Sequence, residues 1–357
     1  MPFFSSNLQK YAFINAKLRT RLSKILPHEV FTNIENAHTL FDAMQILKNT
    51  PFADLESIYA QTGDLKMVEL ELFRREVFLY KELDKYLTAE VKEFCHFLAS
   101  YYEIENVKRI LRFWFDAVIR GRDIEDFVPY LYREPIHYKL QLAEILAARD
   151  YTDVIHALKD TPYAALIQEV LPEIQSQNSL FALEIKLDHF YYQNLYRAMH
   201  SLEHQDFKIA KRLVGVEIDL LNINWIIRFK VFYNLPLAQA LQYVLPGGYQ
   251  VTQQSIARAY DQERVAEVFD ELSRKIKGFT AILKDTSSDS LSRLVLIERI
   301  LEHILQQEVN KVLVGYPFTL GIVLAYFILK KQELKKILIL LNAKQYGIKA
   351  EELSGRL

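Results

Sequence analysis

His200, Glu203 and His204 stand in the order H-x-x-E-H, a residue set with which hydrolases hold zinc. On one continuous helix the two histidines lie a turn apart and can share a metal ion, with the glutamate as general base toward a bound water. Such a centre needs a third protein ligand, which this short match does not locate. The competing reading is two solvent-facing histidines near a helix end, leading into Gln205 and Asp206. Cys95, the one cysteine, sits in the apolar run EFCHFLASYY and reads as a small buried hydrophobe rather than a nucleophile. Being alone, it excludes an intramolecular disulfide and suits a reducing compartment. Neither G-x-x-x-x-G-K-[ST] nor G-x-G-x-x-G occurs. Gly247 and Gly248 follow Pro246 and read as a turn. No cofactor is expected.

The elements that would position such groups are helices. Gly and Pro number only 10 each in 357 residues, and apolar residues recur at helical spacing, as in Val107, Ile110, Leu111 and Trp114. Alternating runs bounded by Asn-Gly or Asp-Gly turns are absent. The chain reads as all-α. Lys and Arg total 44 against 45 for Asp and Glu, a formal charge of -1, and nothing in that balance points to a basic nucleic-acid surface or an acidic tail. The 21 Tyr and 22 Phe then read as packing side chains rather than base-stacking platforms. The start, MPFFSSNLQKYAF, has no basic region followed by an apolar run, so no secretory signal is visible and a cytoplasmic protein is expected.

Three segments end alike: EIENVKRILR from Glu103, DLLNINWIIR from Asp219 and ELKKILILLN from Glu333. The acids are 116 and 114 residues apart. Three residues on stand Asn106, Asn222 and, departing from the pattern, Lys336; then come Arg112, Arg228 and, departing again, Asn342. A second marker, LDKYL at Leu83, LDHFYY at Leu187 and LEHIL at Leu301, precedes the acid by 20, 32 and 32 residues. The shared order and spacing divide the chain into three helical repeats, 1–120, 121–235 and 236–357. A solenoid, the generic scaffold that helical periodicity also permits, repeats every 30 to 47 residues or so, far below about 115. Asp219, Asn222 and Ile226 fall on one helix face. An acid ahead of an apolar run is expected near a helix start, where free N–H groups and the dipole favour it, so these residues are assigned to caps and helix packing.

The run VLVGYPFTLGIVLAYFIL, Val312–Leu329, holds 18 residues without a charge. At about 1.5 Å per residue it reaches roughly 27 Å, nearly a bilayer core. Pro317 suits a first helical turn, and a helix starting there has only 13 uncharged residues, too short to span. It is expected to be a core helix.

The thrice-repeated [DE]-x-x-N…I-x-R element, YAFINAKLRTRLSKIL at Tyr11–Leu26, LPGGY at Leu245–Tyr249, and YPFTLGIVLAYFILKKQEL together resemble the C subunit of V/A-type rotary ATPases (ATP synthases), the counterpart of the d subunit of eukaryotic V-ATPases. The resemblance covers nearly the whole chain. It implies three similar helical domains arranged as a funnel with pseudo-threefold symmetry. It also implies a non-catalytic central-stalk subunit, peripheral on the cytoplasmic face of the membrane. Its partners would be the central shaft subunits and the membrane rotor ring subunits, and its role to pass torque for proton or sodium transport. Exposed loops such as Arg120–Asp123 and Gly247–Tyr249 are candidate contacts.

Overall fold

The structure is a computed structural model that describes residues 3–230, 235–260 and 290–348. Among these residues the regular elements are helical and no strand occurs, as the periodicity requires. The α-helices are α1 (Phe3–Leu22), α2 (His28–Asn36), α3 (Leu40–Leu47), α4 (Ala53–Thr62), α5 (Leu65–Leu83) and α6 (Ala89–Trp114). The short α7 (Leu142–Ala147) and α8 (Tyr151–Ala157) lead to α9 (Tyr163–Gln177), α10 (Phe181–His200) and α11 (His204–Arg228). After α12 (Leu237–Gln242) and α13 (Gln253–Tyr260) come α14 (Ser290–Val314) and α15 (Gly321–Tyr346).

Local sequence sets several of these boundaries. Asp64 opens α5 and Asp150 opens α8, each carboxylate accepting backbone N–H groups two or three residues on. Gly63 and Gly347 close α4 and α15 in the left-handed conformation, φ +66° in both, which glycine reaches without a Cβ clash. α6 ends in a wide turn over Phe115–Ile119, where Arg120 N–H donates to Phe115 O at 3.2 Å.

Two compact units result. One comprises Met1–Leu40, Tyr86–Val91 and Tyr196–Leu357, the other Phe41–Lys85 and Lys92–Leu195. In the first, α15 is the central element: α1, α2, α11 and α14 all pack on it. Tyr11, Ile14 and Leu18 of α1 are buried, as are Ile337, Leu340 and Leu341 of α15. In the second, α4 packs on α5 and α8 on α9, and Trp114 is buried with its Nε1–H donating to Ala148 O at 2.9 Å.

The uncharged stretch is divided differently from the expectation. α14 runs on to Val314, a link follows, and α15 starts at Gly321 rather than Pro317. Gly321 explains the start: a Cβ there would lie 2.4 Å from Val312 Cγ1, so the chain can turn back against the end of α14 only with glycine. Ile322 to Phe327 are all buried. Among the described residues no helix is long and apolar enough to cross a membrane.

Candidate functional site

The repeated acids lie in mid-helix, not at helix starts. Glu103 belongs to α6, Asp219 to α11 and Glu333 to α15, and apolar residues already line the core side before each acid, such as Phe94, Ala99 and Tyr102 ahead of Glu103. A mid-helix carboxylate finds no free N–H in its own helix, since those groups bond four residues back. The donors come from elsewhere in the chain. All three side chains are buried, with Glu103 and Asp219 at 1% exposure and Glu333 at 3%.

Glu103 Oε2 accepts the backbone N–H groups of His137, at 2.6 Å, and Tyr138, at 2.8 Å. Its Oε1 accepts the Tyr163 hydroxyl at 2.6 Å. Burial and the Glu103 carboxylate push the Tyr163 phenol well above its ordinary range, so it stays a donor. Asp219 Oδ2 accepts Gln250 N–H at 2.7 Å and Oδ1 accepts Val251 N–H at 3.1 Å. Burial pushes its carboxyl up to about 7, against the N–H groups of Gln250, Val251 and Tyr249, which favour the ionised form. Glu333 Oε1 accepts Leu26 N–H at 2.7 Å, and Oε2 accepts from the Lys330 ammonium. In each case a carboxylate on a long helix holds the backbone of a distant segment.

The asparagines work beside the acids. Asn222 Nδ2 donates to Leu245 O at 2.9 Å while Oδ1 accepts Leu245 N–H at 2.8 Å. Asn106 makes only the first of these, Nδ2 to Tyr132 O at 2.9 Å, and its buried Oδ1 has no protein donor. Both arginines are exposed, and Arg112 Nε donates to Glu184 Oε1 at 2.5 Å. Lys336 in the third repeat lies over the Phe31 ring at 4.8 Å, and Asn342 donates back to Leu338 O within its helix.

Asp206 does the same work, although no recurrence in the sequence points to it. It is 2% exposed and accepts Leu320 N–H at 2.8 Å and the Tyr11 hydroxyl at 2.5 Å. Its one signal is an acid in the first turn of an apolar helix. The Gly247–Gly248 pair is also more than a turn. A Cβ on Gly248 would lie 2.3 Å from Asp219 Oδ1, so glycine is what admits the carboxylate to the loop backbone.

The zinc reading loses its geometry. His200 ends α10 and His204 opens α11, with a turn between them, so the two rings do not share a helix face. His200 Nδ1 lies 2.8 Å from Tyr196 O, and Glu203 faces Lys10 at 3.5 Å. Among the described residues no group of three or more His, Cys, Asp or Glu is arranged to hold a metal. Cys95 is fully buried, and burial drives its thiol pKa up, away from thiolate chemistry. In the loop at Arg120–Asp123, Arg120 pairs with Asp116 at 2.9 Å.

Buried carboxylates committed to backbone donors are holding groups. A family model described as ATP synthase (C/AC39) subunit matches residues 14–356. The chain belongs to that family. It is similar along its length to the C subunit of the A-type ATP synthase of Methanosarcina acetivorans, 25% identical over 340 residues, 94% of this chain and 89% of that protein. The corresponding protein of Methanosarcina mazei is 23% identical over 349 residues, 97% and 92% of the two chains. That of Methanosphaera stadtmanae is 22% identical over 335 residues, 94% and 84%. The family resemblance seen in the sequence is thus borne out. A member of the C/AC39 family is a non-catalytic part of the ATP synthase complex.

Proposed function

We propose that this C/AC39 protein seats the central shaft of the rotary ATPase on the ion-carrying ring and transmits torque between them. It does so from the cytoplasmic face, without entering the membrane. The proposal includes three helical repeats, 1–120, 121–235 and 236–357, and the funnel about a pseudo-threefold axis that the family resemblance implies. A repeat is defined by recurrence in sequence and a compact unit by contacts, so the two divisions answer different questions.

The observation that carries the reading is the set of buried carboxylates pinning loop backbone to long helices, in a chain matched by the C/AC39 family over residues 14–356. A part that passes torque must not absorb it. Close-packed helices deform little, and loops tied by charge-assisted hydrogen bonds give little slack between them. A site for one small molecule would not need that device three times.

The test is reconstitution of the complex in sealed vesicles with and without this chain, measuring ATP hydrolysis and ion flux together. Omission should leave hydrolysis by the catalytic head in place while ion flux per ATP falls to background. Flux per ATP that is unchanged without the chain would sink the coupling role.

A further inference from the structure

Asn106 and Asn222 stand three residues past Glu103 and Asp219, and each Nδ2 donates to a loop carbonyl at 2.9 Å. They differ in the second bond. Leu245 returns its own N–H to Asn222 Oδ1 at 2.8 Å, which closes a ring of two hydrogen bonds between one side chain and one residue. Tyr132, whose carbonyl takes the Asn106 bond, does not return its N–H, and that group has no acceptor among the described residues. Asn106 is 4% exposed, and its buried Oδ1 has no protein donor. A donor and an acceptor are thus unmatched at the place where Leu245 and Asn222 match them.

A small cavity adjoins both residues. It is lined by Asn106, Tyr132 and Glu103 with the apolar Leu140 and Leu142, and it gives the centre of a water molecule about 10 Å³ to move in. That is room for one water and not for two. We propose that a single water molecule is bound here, accepting the Tyr132 N–H and donating to Asn106 Oδ1 and to the Glu103 carboxylate.

The count of hydrogen-bonding groups selects water. A carboxylate offers about four lone-pair positions, and Glu103 fills three of them with His137 N–H, Tyr138 N–H and the Tyr163 hydroxyl. The cavity wall therefore presents two acceptors in need of donors and one donor in need of an acceptor. Water supplies both kinds, and about three bonds is what a buried water commonly makes. A cation would serve the two oxygens but would set its charge against the Tyr132 N–H, and it calls for more oxygen ligands than these. A larger guest does not fit.

The bridge makes the two loops mechanically unlike. A direct bond fixes Leu245 against Asn222, whereas a water-mediated one lets Tyr132 and Asn106 shift while both stay bonded, and holding the water still takes back part of the gain. The loop from Tyr132 to Tyr138 then has a firm hold at Glu103 and a yielding one at Asn106.

The test is a crystal structure of the whole chain, at a resolution that shows ordered water, together with water-to-amide NOE spectroscopy of the isotope-labelled chain. One density peak should lie within about 3.2 Å of both Asn106 Oδ1 and the Tyr132 nitrogen. Tyr132 N–H should show a direct NOE from bound water, separated from proton exchange in the rotating frame, and Leu245 N–H should show none. Asn106→Leu, apolar and of similar shape, should lose both the peak and the NOE; if that variant does not fold, the wild-type measurements decide alone. The proposal is overturned by Tyr132 N–H donating directly to Asn106 Oδ1, by no water NOE at Tyr132, or by a peak with the short contacts of a cation, about 2.4 Å. A peak that persists unchanged in folded Asn106→Leu overturns it as well.

Discussion

Glu103 and Asp219 solve one problem by opposite means. Glu103 reaches its partners with a longer side chain and recruits a third donor, the Tyr163 hydroxyl, so three hydrogen bonds converge on it. Asp219 has a shorter reach, and the loop comes to it: Gly248 brings its backbone to where a Cβ would lie 2.3 Å from Oδ1. The difference teaches that the length of the acid is not what the device requires. What recurs is a carboxylate matched to the reach of the loop it holds, and the glycine pair and the tyrosine are alternative halves of that match.

The largest break in this comparison should come from Glu103→Ala. It strands the buried Tyr163 hydroxyl and two part-buried backbone N–H groups, a loss of about 4 kcal/mol when each stranded donor costs about 1–3 kcal/mol. Hydrogen exchange resolved by region should show the loss in the unit that contains α9, with the other unit less affected. Survival of protection at His137 and Tyr138 would show that their N–H groups do not depend on the carboxylate.

Asp219→Asn should cost less, about 2 kcal/mol, because the amide oxygen keeps one N–H donor and the amide nitrogen turns away the other. It also tests the pH response. With the folded pKa raised to about 7 from an ordinary value of 3.8, the native protein keeps a proton that the unfolded chain releases, so this group's contribution to stability is full below about 4 and is lost as pH rises through about 7. Denaturant unfolding at about pH 5.5 and about pH 8.5 should show that fall in the wild-type chain and not in the variant. Matching pH dependence in the two proteins would show that the loop donors keep Asp219 ionised throughout.

Smaller still is the asparagine pair. Asn222→Ala removes a donor and an acceptor that serve both backbone groups of Leu245, about 2 kcal/mol, whereas Asn106→Ala removes one bond and about 1 kcal/mol. Equal losses by thermal unfolding would mean that Asn106 Oδ1 is as well served as its counterpart. The smallest effect is expected from the arginines. Arg112→Ala should lose about 0.5 kcal/mol with its half-exposed Glu184 pair, and Arg228→Ala less than that.

The helical class and the importance of Glu103, Asp219 and Glu333 were legible because periodicity and recurrence are properties of one strand of text. Their partners were not. Nothing in the sequence near Asp219 says that Gln250 and Val251 will present their N–H groups to it, because any non-proline residue carries the same donor. That is also why the acids were expected at helix starts: a local N–H source is the cheapest guess, and the tertiary one prevailed. Asp206 escaped notice for the same reason, and α15 began later than Pro317 suggested because the requirement at Gly321 arises from Val312, a neighbour only after the chain turns.

The bond from Leu26 N–H to Glu333 joins residues 307 apart. During synthesis the ribosome delivers α1 and α2 well before α15, so the unit containing them waits until α15 has been made. The span from Phe41 to Leu195, interrupted only by Tyr86–Val91, is complete much earlier and can condense while the rest is still emerging. Until then the apolar faces of Tyr11, Ile14 and Leu18 have no final partner and are exposed to chaperones and proteases. Truncated nascent chains ending before α15 should therefore carry a protease-resistant middle and a digestible beginning.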